Sequence, residues 1–456
     1  MINNTFSNKS HSKKFGKLQL KAGASFRNIT PEEAHFLFGY PFVERMSAGV
    51  HDPLLSSALY LSDGKEEVLF ISNDVIYVSK DTVFRIRQAV FEKKGIPVSN
   101  IMIAATHTHS GPVTVDCVIS ENDPIVPKVN KDYLRYMEKK TIEAAFQAIE
   151  NAVSAEIAFV TGDTTGVGTN RHNPAGAKDM EAPAMVVRNS ENKKYIASML
   201  VCSMHPTILH EDSQLYSSDF PCFVREKLQQ ELLGTNCPVI YFTGTAGNQS
   251  PRHVAKSNTF EEARRLGAIV ADAVLSELTE NTIYSSEQAI RTLHTKADLP
   301  KRKFPAAEWA QQHRDEAKKR FKELKKSSES PQETRTAEVD WFGAEELLFL
   351  AQKAQSCLLD EAYKSCLPVE IQIVGIGGWR FIAWPGEIFV EYGLKLKALY
   401  KNISLITYAN GELQGYITTK EAVDKGFYEA GNSLFDYRSG EILIKKTIDL
   451  LKQLNR

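Results

Sequence analysis

Two histidines stand where an apolar run meets a turn, in the stretch IMIAATHTHSGP that begins at Ile101. Alternate residues of an extended strand share a face, so His107 and His109 continue the face of Ile101, Ile103 and Ala105. The buried face of this predicted strand therefore becomes polar only at its carboxyl end. In open α/β sheets, ligands bind at the carboxyl ends of strands.

The same pattern recurs in four later segments, each an apolar run that ends in polar side chains. These endings carry His205, Glu387, Tyr416 and the loop pair Asn248 and Ser250. A single histidine on an apolar face is more often a satisfied core residue than a ligand. Several such endings favour another interpretation, because buried imidazoles and carboxylates need partners. We expect these side chains to converge on one another or on a metal.

Histidine and glutamate together are the ligands of many hydrolytic zinc sites, which keep one coordination position open for water. The HExxH helix of common metalloproteases is absent from this sequence. The ligands would therefore come from separate strands, and spacing alone does not distinguish zinc binding from structural roles.

The elements that must position these residues alternate between strands and helices, which is typical of an α/β protein. Apolar runs predict strands, and amphipathic periodicity predicts helices over 129–155, 223–234 and 259–278. We predict mixed β-sheets flanked by helices, with the active site at strand ends. From about 301 to 366 the chain is charged and helical around a Ser/Pro-rich turn, which indicates a helical insertion. Whether this insertion caps the site or builds a dimer stays open.

Composition excludes several classes of protein. The 456 residues carry a formal net charge of −1 and are 43% hydrophobic, which gives no reason to expect nucleic-acid binding. The six scattered cysteines form no CxxC pair, so we expect free thiols in a reducing compartment. Residues 1–20 form a polar tail without the apolar region of a signal peptide, and no run could span a bilayer. We therefore expect a cytoplasmic protein of unknown oligomeric state.

The segment AATHTHSGP closely resembles the ATHTHSGPGG signature of the neutral (alkaline, non-lysosomal) ceramidases, zinc-dependent amidases that cleave the N-acyl bond of ceramide. Further segments are similar to that family in the same order, from about Ala22 to Phe435: SAGVHDPLLSSALYL, GTNRHNP, SMHPT, GTAGNQSP, WPGE and YITTKEAVDKGFYEAG. The resemblance implies one catalytic domain over 21–456. It also implies that the immunoglobulin-like C-terminal domain of the family is lacking.

The resemblance also implies roles for individual residues. The implied zinc ligands are His107, His205, Glu387 and Tyr416, and the implied active-site residues are His109, Arg171, Ser250 and Tyr428. A metal-activated water would attack the amide carbonyl, and His109 would protonate the departing amine. Ser250 is either a nucleophile or a hydroxyl that orients substrate; no base adjoins it in the sequence, which favours the second role.

Departures from the family pattern put the substrate in doubt. Val113 replaces a glycine and would narrow the entrance to the site, and Asn248 replaces a carboxylate. Ceramide or a related N-acyl lipid is the first candidate substrate. The alternative is a smaller amide or ester, such as an N-acyl amino sugar or amino-acid derivative. A metal-binding homologue without catalysis is a third possibility, which the complete set of implied site residues disfavours.

Overall fold

The computed structural model of this protein describes residues 19–327 and 330–454. The predicted polar tail, residues 1–20, lies outside the described residues except for its last two positions.

Twenty strands are present in the described chain. They are β1 (Lys21–Asn28), β2 (Leu37–Phe38), β3 (Gly49–Val50), β4 (Leu55–Ser62), β5 (Glu67–Asn73), β6 (Ile101–Ala105), β7 (Gly111–Pro112), β8 (Val153–Asp163), β9 (Thr169–Asn170), β10 (Glu181–Asn189), β11 (Tyr195–Cys202), β12 (Leu215–Tyr216), β13 (Val239–Thr243), β14 (Gln249–Ser250), β15 (Ile290–Ala297), β16 (Val369–Ile376), β17 (Trp379–Ala383), β18 (Glu387–Ile388), β19 (Ile403–Ile406) and β20 (Tyr416–Ile417).

Eleven α-helices accompany these strands within the described residues. They are α1 (Lys80–Lys94), α2 (Lys131–Glu150), α3 (Phe220–Leu228), α4 (Phe260–Ser276), α5 (Ala307–Ser327), α6 (Pro331–Gln355), α7 (Asp360–Cys366), α8 (Val390–Leu399), α9 (Lys420–Asp424), α10 (Tyr428–Gly431) and α11 (Ser439–Leu454). The three helices predicted from periodicity are confirmed as α2, α3 and α4. A π-helical turn, Gln229–Leu233, extends α3.

The strands form two principal sheets, and the predicted mixed α/β fold is confirmed. The larger sheet has the order β13-β11-β10-β8-β1-β4-β5-β6, and the smaller has the order β15-β16-β17-β19. The pairs β5–β6, β11–β13 and β17–β19 are parallel, whereas the other neighbours in these sheets are antiparallel.

Within the larger sheet, β1 and β8 pair only through Lys21↔Ser154 and Ala22↔Val153. The two edge strands, β6 and β13, nevertheless lie close together. Past their carboxyl ends, the Thr243 hydroxyl donates a hydrogen bond of 2.7 Å to the carbonyl oxygen of Thr106.

The smaller sheet contributes its own strand end to the same place. After β19, the Thr407 N–H donates to the Thr243 carbonyl at 2.9 Å, and the Ala105 N–H donates to the Tyr408 carbonyl at 3.1 Å. The carboxyl ends of β6, β13 and β19 therefore meet, although they belong to different edges and different sheets.

An apolar core lies between the sheets and further cores lie beneath the helices. The central core contains Phe70 and Met199 of the larger sheet and Phe381 of the smaller sheet, with the Phe70 and Phe381 rings 5.5 Å apart. Outside the larger sheet, α1 and α2 cover one half, and α3 and α4 cover the other. Helix α11 packs on the smaller sheet. Strands such as β6 and β13 are buried along their whole length between two apolar layers, which explains why their sequences read as nearly continuous hydrophobic runs.

The segment predicted to be helical over 301–366 is helical, as α5, α6 and α7. Helices α5 and α6 pack as an antiparallel pair through the stacked rings of Phe321 and Trp341 and the ion pair of Arg314 with Glu345 at 2.8 Å. That this segment is an insertion remains a prediction.

The structure bears on two predictions, that the cysteines are free thiols and that no segment spans a bilayer. All six cysteines lie in the described chain as free thiols, and only Cys357 is exposed. Among the helices of the described residues, none is both long and apolar enough to cross a membrane.

Candidate active site

His107 lies just beyond the end of β6, so one detail of the predicted strand is wrong. The strand stops at Ala105, and His107 adopts a left-handed backbone conformation with φ 65°. Its N–H donates to the carbonyl of Val75 at 3.0 Å, which turns the chain away from the extended path. A non-glycine residue in this conformation costs on the order of 1–3 kcal/mol, a strain often stored at functional sites.

Backbone carbonyls fix the orientation of two imidazoles. His107 Nδ1 is 2.9 Å from the carbonyl oxygen of Ile76, and His205 Nδ1 is 3.2 Å from that of Ala246. A carbonyl oxygen only accepts, so each Nδ1 carries the proton and each Nε2 presents a lone pair. A hydrogen bond from the ring nitrogen that does not bind the metal orients metal-binding histidines in the same way.

The lone pairs converge on one point. His107 Nε2 lies 3.0 Å from His205 Nε2 and 3.3 Å from His109 Nε2. The second carboxylate oxygen of Glu387 is 3.4 Å from His107 Nε2 and 3.7 Å from His205 Nε2. Ligand atoms of a tetrahedral zinc ion at roughly 2.0–2.1 Å stand about 3.3 Å apart, which these separations match.

The residues at this point therefore fit a metal ion. Glu387 Oε2 is buried without a hydrogen-bond partner, and a cation would satisfy it. The three imidazoles of His107, His109 and His205 could bind a metal as a group. Burial and the neighbouring His107 lower the pKa of His109 and His205 well below the usual histidine value, which favours neutral rings that can donate lone pairs.

Glu387 and Tyr416 are held side by side, since β18 and β20 pair in parallel with these two residues in register. The hydroxyl of Tyr77 donates a hydrogen bond of 2.5 Å to the other oxygen of Glu387. Burial raises the pKa of Tyr416 well above its usual value, with the carboxylate of Glu387 adding to the effect. We use "the floor" for His107, His109, His205, Glu387 and Tyr416.

His109 depends on a glycine beside it. Gly39 has a φ of 133°, and a Cβ built on it would lie 2.4 Å from His109 Nδ1. No side chain at position 39 could therefore leave the His109 ring in place. The ring of Tyr40 packs against His109 with centroids 5.3 Å apart.

Arg171 and Tyr428 line one wall of the site. Arg171 Nε donates to Glu429 Oε1 at 2.8 Å, and its guanidinium lies 5.6 Å from the Tyr416 ring centroid and 5.4 Å from that of Tyr428. Burial opposes ionisation of Glu429, but Arg171 and His172 prevail and lower its pKa to about 2. This buried ion pair anchors Arg171.

Ser250 also lies in the site, but it has no catalytic base beside it. Its hydroxyl accepts from the backbone N–H of Arg252 at 3.4 Å. Within the described chain, no histidine or carboxylate forms a hydrogen bond with that hydroxyl. The geometry thus lacks the nucleophile–base pair expected of a serine hydrolase.

The two substitutions noted in the sequence occupy structural positions. Asn248 donates to the Glu391 carboxylate at 2.9 Å and accepts from the Val390 N–H at 2.8 Å, which ties its loop to α8. Val113 packs in the core under α1 and α2, and it is missing from the described residues that line the active-site cavity. The expectation that Val113 narrows the entrance is therefore wrong.

All eight predicted site residues line one cavity of about 650 Å³. Its deep part combines the floor with apolar side chains, among them Phe38, Ile76, Ile119 and Phe342. Its outer part, which we call "the mouth", is charged and comprises His210, Arg252, Lys256, Arg335 and Glu338. Helix α6 supplies Arg335 and Glu338, so the helical segment forms part of the cavity wall.

Sequence reasoning missed several residues of the site. Tyr77 follows β5, the strand parallel to β6, so the strand-end rule could have found it. Tyr408 stacks on His107 with centroids 4.0 Å apart, and its left-handed φ of 55° was not readable from the residue type. Glu429 adjoins the implied Tyr428 and was overlooked as a partner for Arg171. Arg335 and Glu346 come from α6, whose charges read as a solvated face.

Comparison with solved structures shows what this fold is similar to. The neutral ceramidase from Pseudomonas aeruginosa superposes with a TM-score of 0.73 at 16% identity, covering 95% of this chain and 74% of that one. A ceramidase complexed with C2 gives a TM-score of 0.71, also at 16% identity, over 94% of this chain and 74% of that one. No family model matches the sequence. The chain therefore has the neutral-ceramidase fold, as the resemblance predicted.

Proposed function

We propose that this protein is a zinc-dependent amidohydrolase that cleaves the N-acyl amide bond of ceramide or a related N-acyl lipid. The observation that carries the proposal is the convergence of His107 Nε2, His205 Nε2 and Glu387 Oε2 at the spacing of zinc ligands. The neutral-ceramidase fold supports an amidohydrolase, and the apolar deep cavity suits an acyl chain.

In this proposal His107, His205, Glu387 and Tyr416 hold the zinc. When bound, zinc polarises an amide carbonyl and lowers the pKa of water toward about 7. Tyr77 holds the Glu387 carboxylate in place through its hydrogen bond, and the two backbone carbonyls hold the imidazoles. The chain thus supplies a rigid donor set at the bottom of an apolar cavity.

His109 and Ser250 act on the substrate in this proposal. His109 stands at the reaction centre, where its imidazole receives a proton and delivers it to the departing amine nitrogen. Ser250 orients the substrate with its hydroxyl, because it has no neighbouring base to make it a nucleophile. Arg171 and Tyr428 shape the wall against which the amide lies.

Because His109 lies beside the other two imidazoles, an experiment must decide whether it belongs to the set of zinc ligands. Its Nε2 is 3.3 Å from His107 Nε2, which is also a possible ligand distance. We expect His109→Ala to keep its zinc and lose activity by about 10²–10⁴-fold, the usual contribution of a general acid–base group. Loss of zinc from His109→Ala would instead assign three imidazole ligands.

The direct test is fatty-acid release from ceramide by the purified protein, with and without a zinc chelator. Chelator-sensitive release that zinc restores is the expected result. A zinc-loaded protein that releases no fatty acid from ceramide would exclude ceramide as the substrate. The second candidate, a smaller amide or ester, is favoured by one observation, the charged mouth of the cavity.

A further inference from the structure

The cavity wall carries a guanidinium without a partner. Arg252 lies in a short 3-10 turn, Pro251–His253, that directly follows Ser250. Its Nη1 is buried and has no hydrogen-bond partner. Throughout residues 19–327 and 330–454, no carboxylate lies within ion-pair distance of this side chain.

The other arginines lining the cavity are neutralised. Arg171 pairs with Glu429 at 2.8 Å, and Arg335 pairs with Glu338 at 2.6 Å and with Glu211 at 2.9 Å. Only Arg252, among the arginines of the described cavity wall, faces the cavity without a counter-charge. A buried charge without a partner destabilises a fold unless a ligand neutralises it.

Burial lowers the pKa of Arg252, and the charges of Arg171 and Arg335 add to this effect, whereas Tyr428 and Glu429 oppose it. Burial raises the pKa of Tyr428, so its hydroxyl stays neutral and supplies no negative charge. Burial, then the charge of Arg335, with Arg252 contributing, lowers the pKa of His210 to about 4. The carboxylates nearby, Glu211 and Glu338, both pair with Arg335, so the unpaired guanidinium of Arg252 favours an anion over a cation at this place.

The turn fixes the backbone that carries Arg252. The Val254 N–H donates to the Pro251 carbonyl at 2.8 Å, and His253 Nε2 lies 3.0 Å from the Arg171 carbonyl. The turn is thus attached both to itself and to the wall of the active site. A planar guanidinium carried on such a backbone suits bidentate binding of a carboxylate or a phosphate.

We propose that Arg252 binds an anionic group on the amine side of the substrate, so that the preferred substrate is an N-acyl amide bearing a carboxylate or a phosphate. The inference rests on the proposed function, which supplies the amide bond that is cleaved, and narrows its substrate class. The acyl chain would occupy the apolar deep cavity, the amide would lie on the floor, and the anion would lie at the mouth.

Two matched substrate pairs test this proposal. N-dodecanoylglycine is compared with neutral N-dodecanoylglycinamide, and phosphorylated N-dodecanoylethanolamine is compared with the unphosphorylated compound, by release of dodecanoic acid. We expect kcat/KM to favour the anionic member of at least one pair by about 10-fold or more, as for a hydrogen bond to a charged group. The pair that shows the preference identifies the anion as carboxylate or phosphate.

Variants assign the preference to Arg252. Arg252→Met should abolish it, and Arg252→Lys should keep part of it. Arg264→Met is the control, because Arg264 is exposed on α4 and pairs with Glu226, outside the cavity. Equal kcat/KM within both pairs for the wild type, or a preference that survives in Arg252→Met, would overturn the proposal.

Binding separates failure of this inference from failure of the proposed function. If the zinc-loaded protein cleaves neither ceramide nor any of the four probes, the proposed function fails, and calorimetric titration with the two substrate pairs still tests Arg252. Tighter binding of an anionic member that disappears in Arg252→Met supports the anion site, and equal affinities within both pairs overturn it. Thermal melting verifies that Arg252→Met is folded.

Discussion

The floor and the mouth of the cavity are built on different principles. The floor consists of side chains at strand ends, oriented by backbone carbonyls and by paired short strands. The mouth comes from α6, the loop carrying His210 and the turn after Ser250, and it is held by ion pairs between long side chains. The floor is therefore held mainly by the backbone, whereas the mouth is held by contacts between side chains.

The largest expected effect is removal of a floor imidazole. His205→Ala should lose bound zinc and essentially all activity, because one nitrogen ligand and its oriented lone pair disappear. Metal content by mass spectrometry, together with turnover, measures this. His294→Ala is the matched control, since His294 lies on β15 outside the active-site cavity. Full zinc content in His205→Ala would show that the ligand assignment is wrong.

The next largest effect is expected from breaking the ion pair between Arg171 and Glu429 in the cavity wall. Glu429→Gln leaves the buried charge of Arg171 without its partner, which should destabilise the fold by about 3–5 kcal/mol. Chemical denaturation measures the free energy of unfolding. Glu441→Gln removes an exposed carboxylate paired with Lys395 and should change stability by less than about 1 kcal/mol. Similar losses in both variants would mean that the Arg171 pair is not an anchor.

A smaller effect is expected from removing the hydrogen bond that Tyr77 donates to Glu387. Tyr77→Phe removes the hydrogen bond to Glu387 and keeps the ring, so zinc affinity should fall by about 10–100-fold, the usual cost of losing a second-shell contact. Competition with a zinc-binding dye measures the affinity. Tyr136→Phe, on the distant helix α2, should leave it unchanged. An unaltered zinc affinity in Tyr77→Phe would indicate that Glu387 binds zinc equally well without the hydrogen bond from Tyr77.

The smallest effect, counted per pH unit, is expected from a carboxyl group on α6. Burial raises the pKa of Glu346 to about 7, although a hydrogen bond from Asn432 opposes this. Between its unfolded value of about 4.5 and about 7 the folded state binds more protons, so stability falls as pH rises, by at most about 1.4 kcal/mol per pH unit. Glu346→Gln should flatten that slope in denaturation measured at pH 5, 6 and 7. An unchanged slope would exclude Glu346 as its source, leaving Asp219, whose pKa burial also raises to about 7.

Much of the floor was predictable because strand ends leave a local signal. An apolar run that stops at His205 or Glu387 indicates a buried strand with a functional end, whatever the rest of the chain does. The alternation rule nevertheless failed at His107, because the strand ended two residues earlier and the backbone turned to a positive φ. Such a turn is imposed by the contact of the His107 N–H with Val75, which sequence spacing does not reveal.

The mouth was not predictable for a different reason. Arg335 lies in a charged stretch that reads as a solvated helix, and only packing decides that its inner face closes a cavity. Arg252 likewise resembles any loop arginine until its surroundings are known. Arg335 has one partner three positions away, Glu338, but its second partner, Glu211, lies 124 positions away and follows from no local pattern.

By itself, the sequence determined the alternation of strands and helices, the residue types of the floor and their placement at strand ends. These follow from local rules, namely side-chain periodicity and the need of buried polar groups for partners. Only the tertiary structure decided that β6 and β13, at opposite edges of one sheet, should meet. The hydrogen bond from Thr243, at the end of β13, to Thr106, just after β6, joins segments far apart in the chain, and long-range packing rather than local preference determines such a contact.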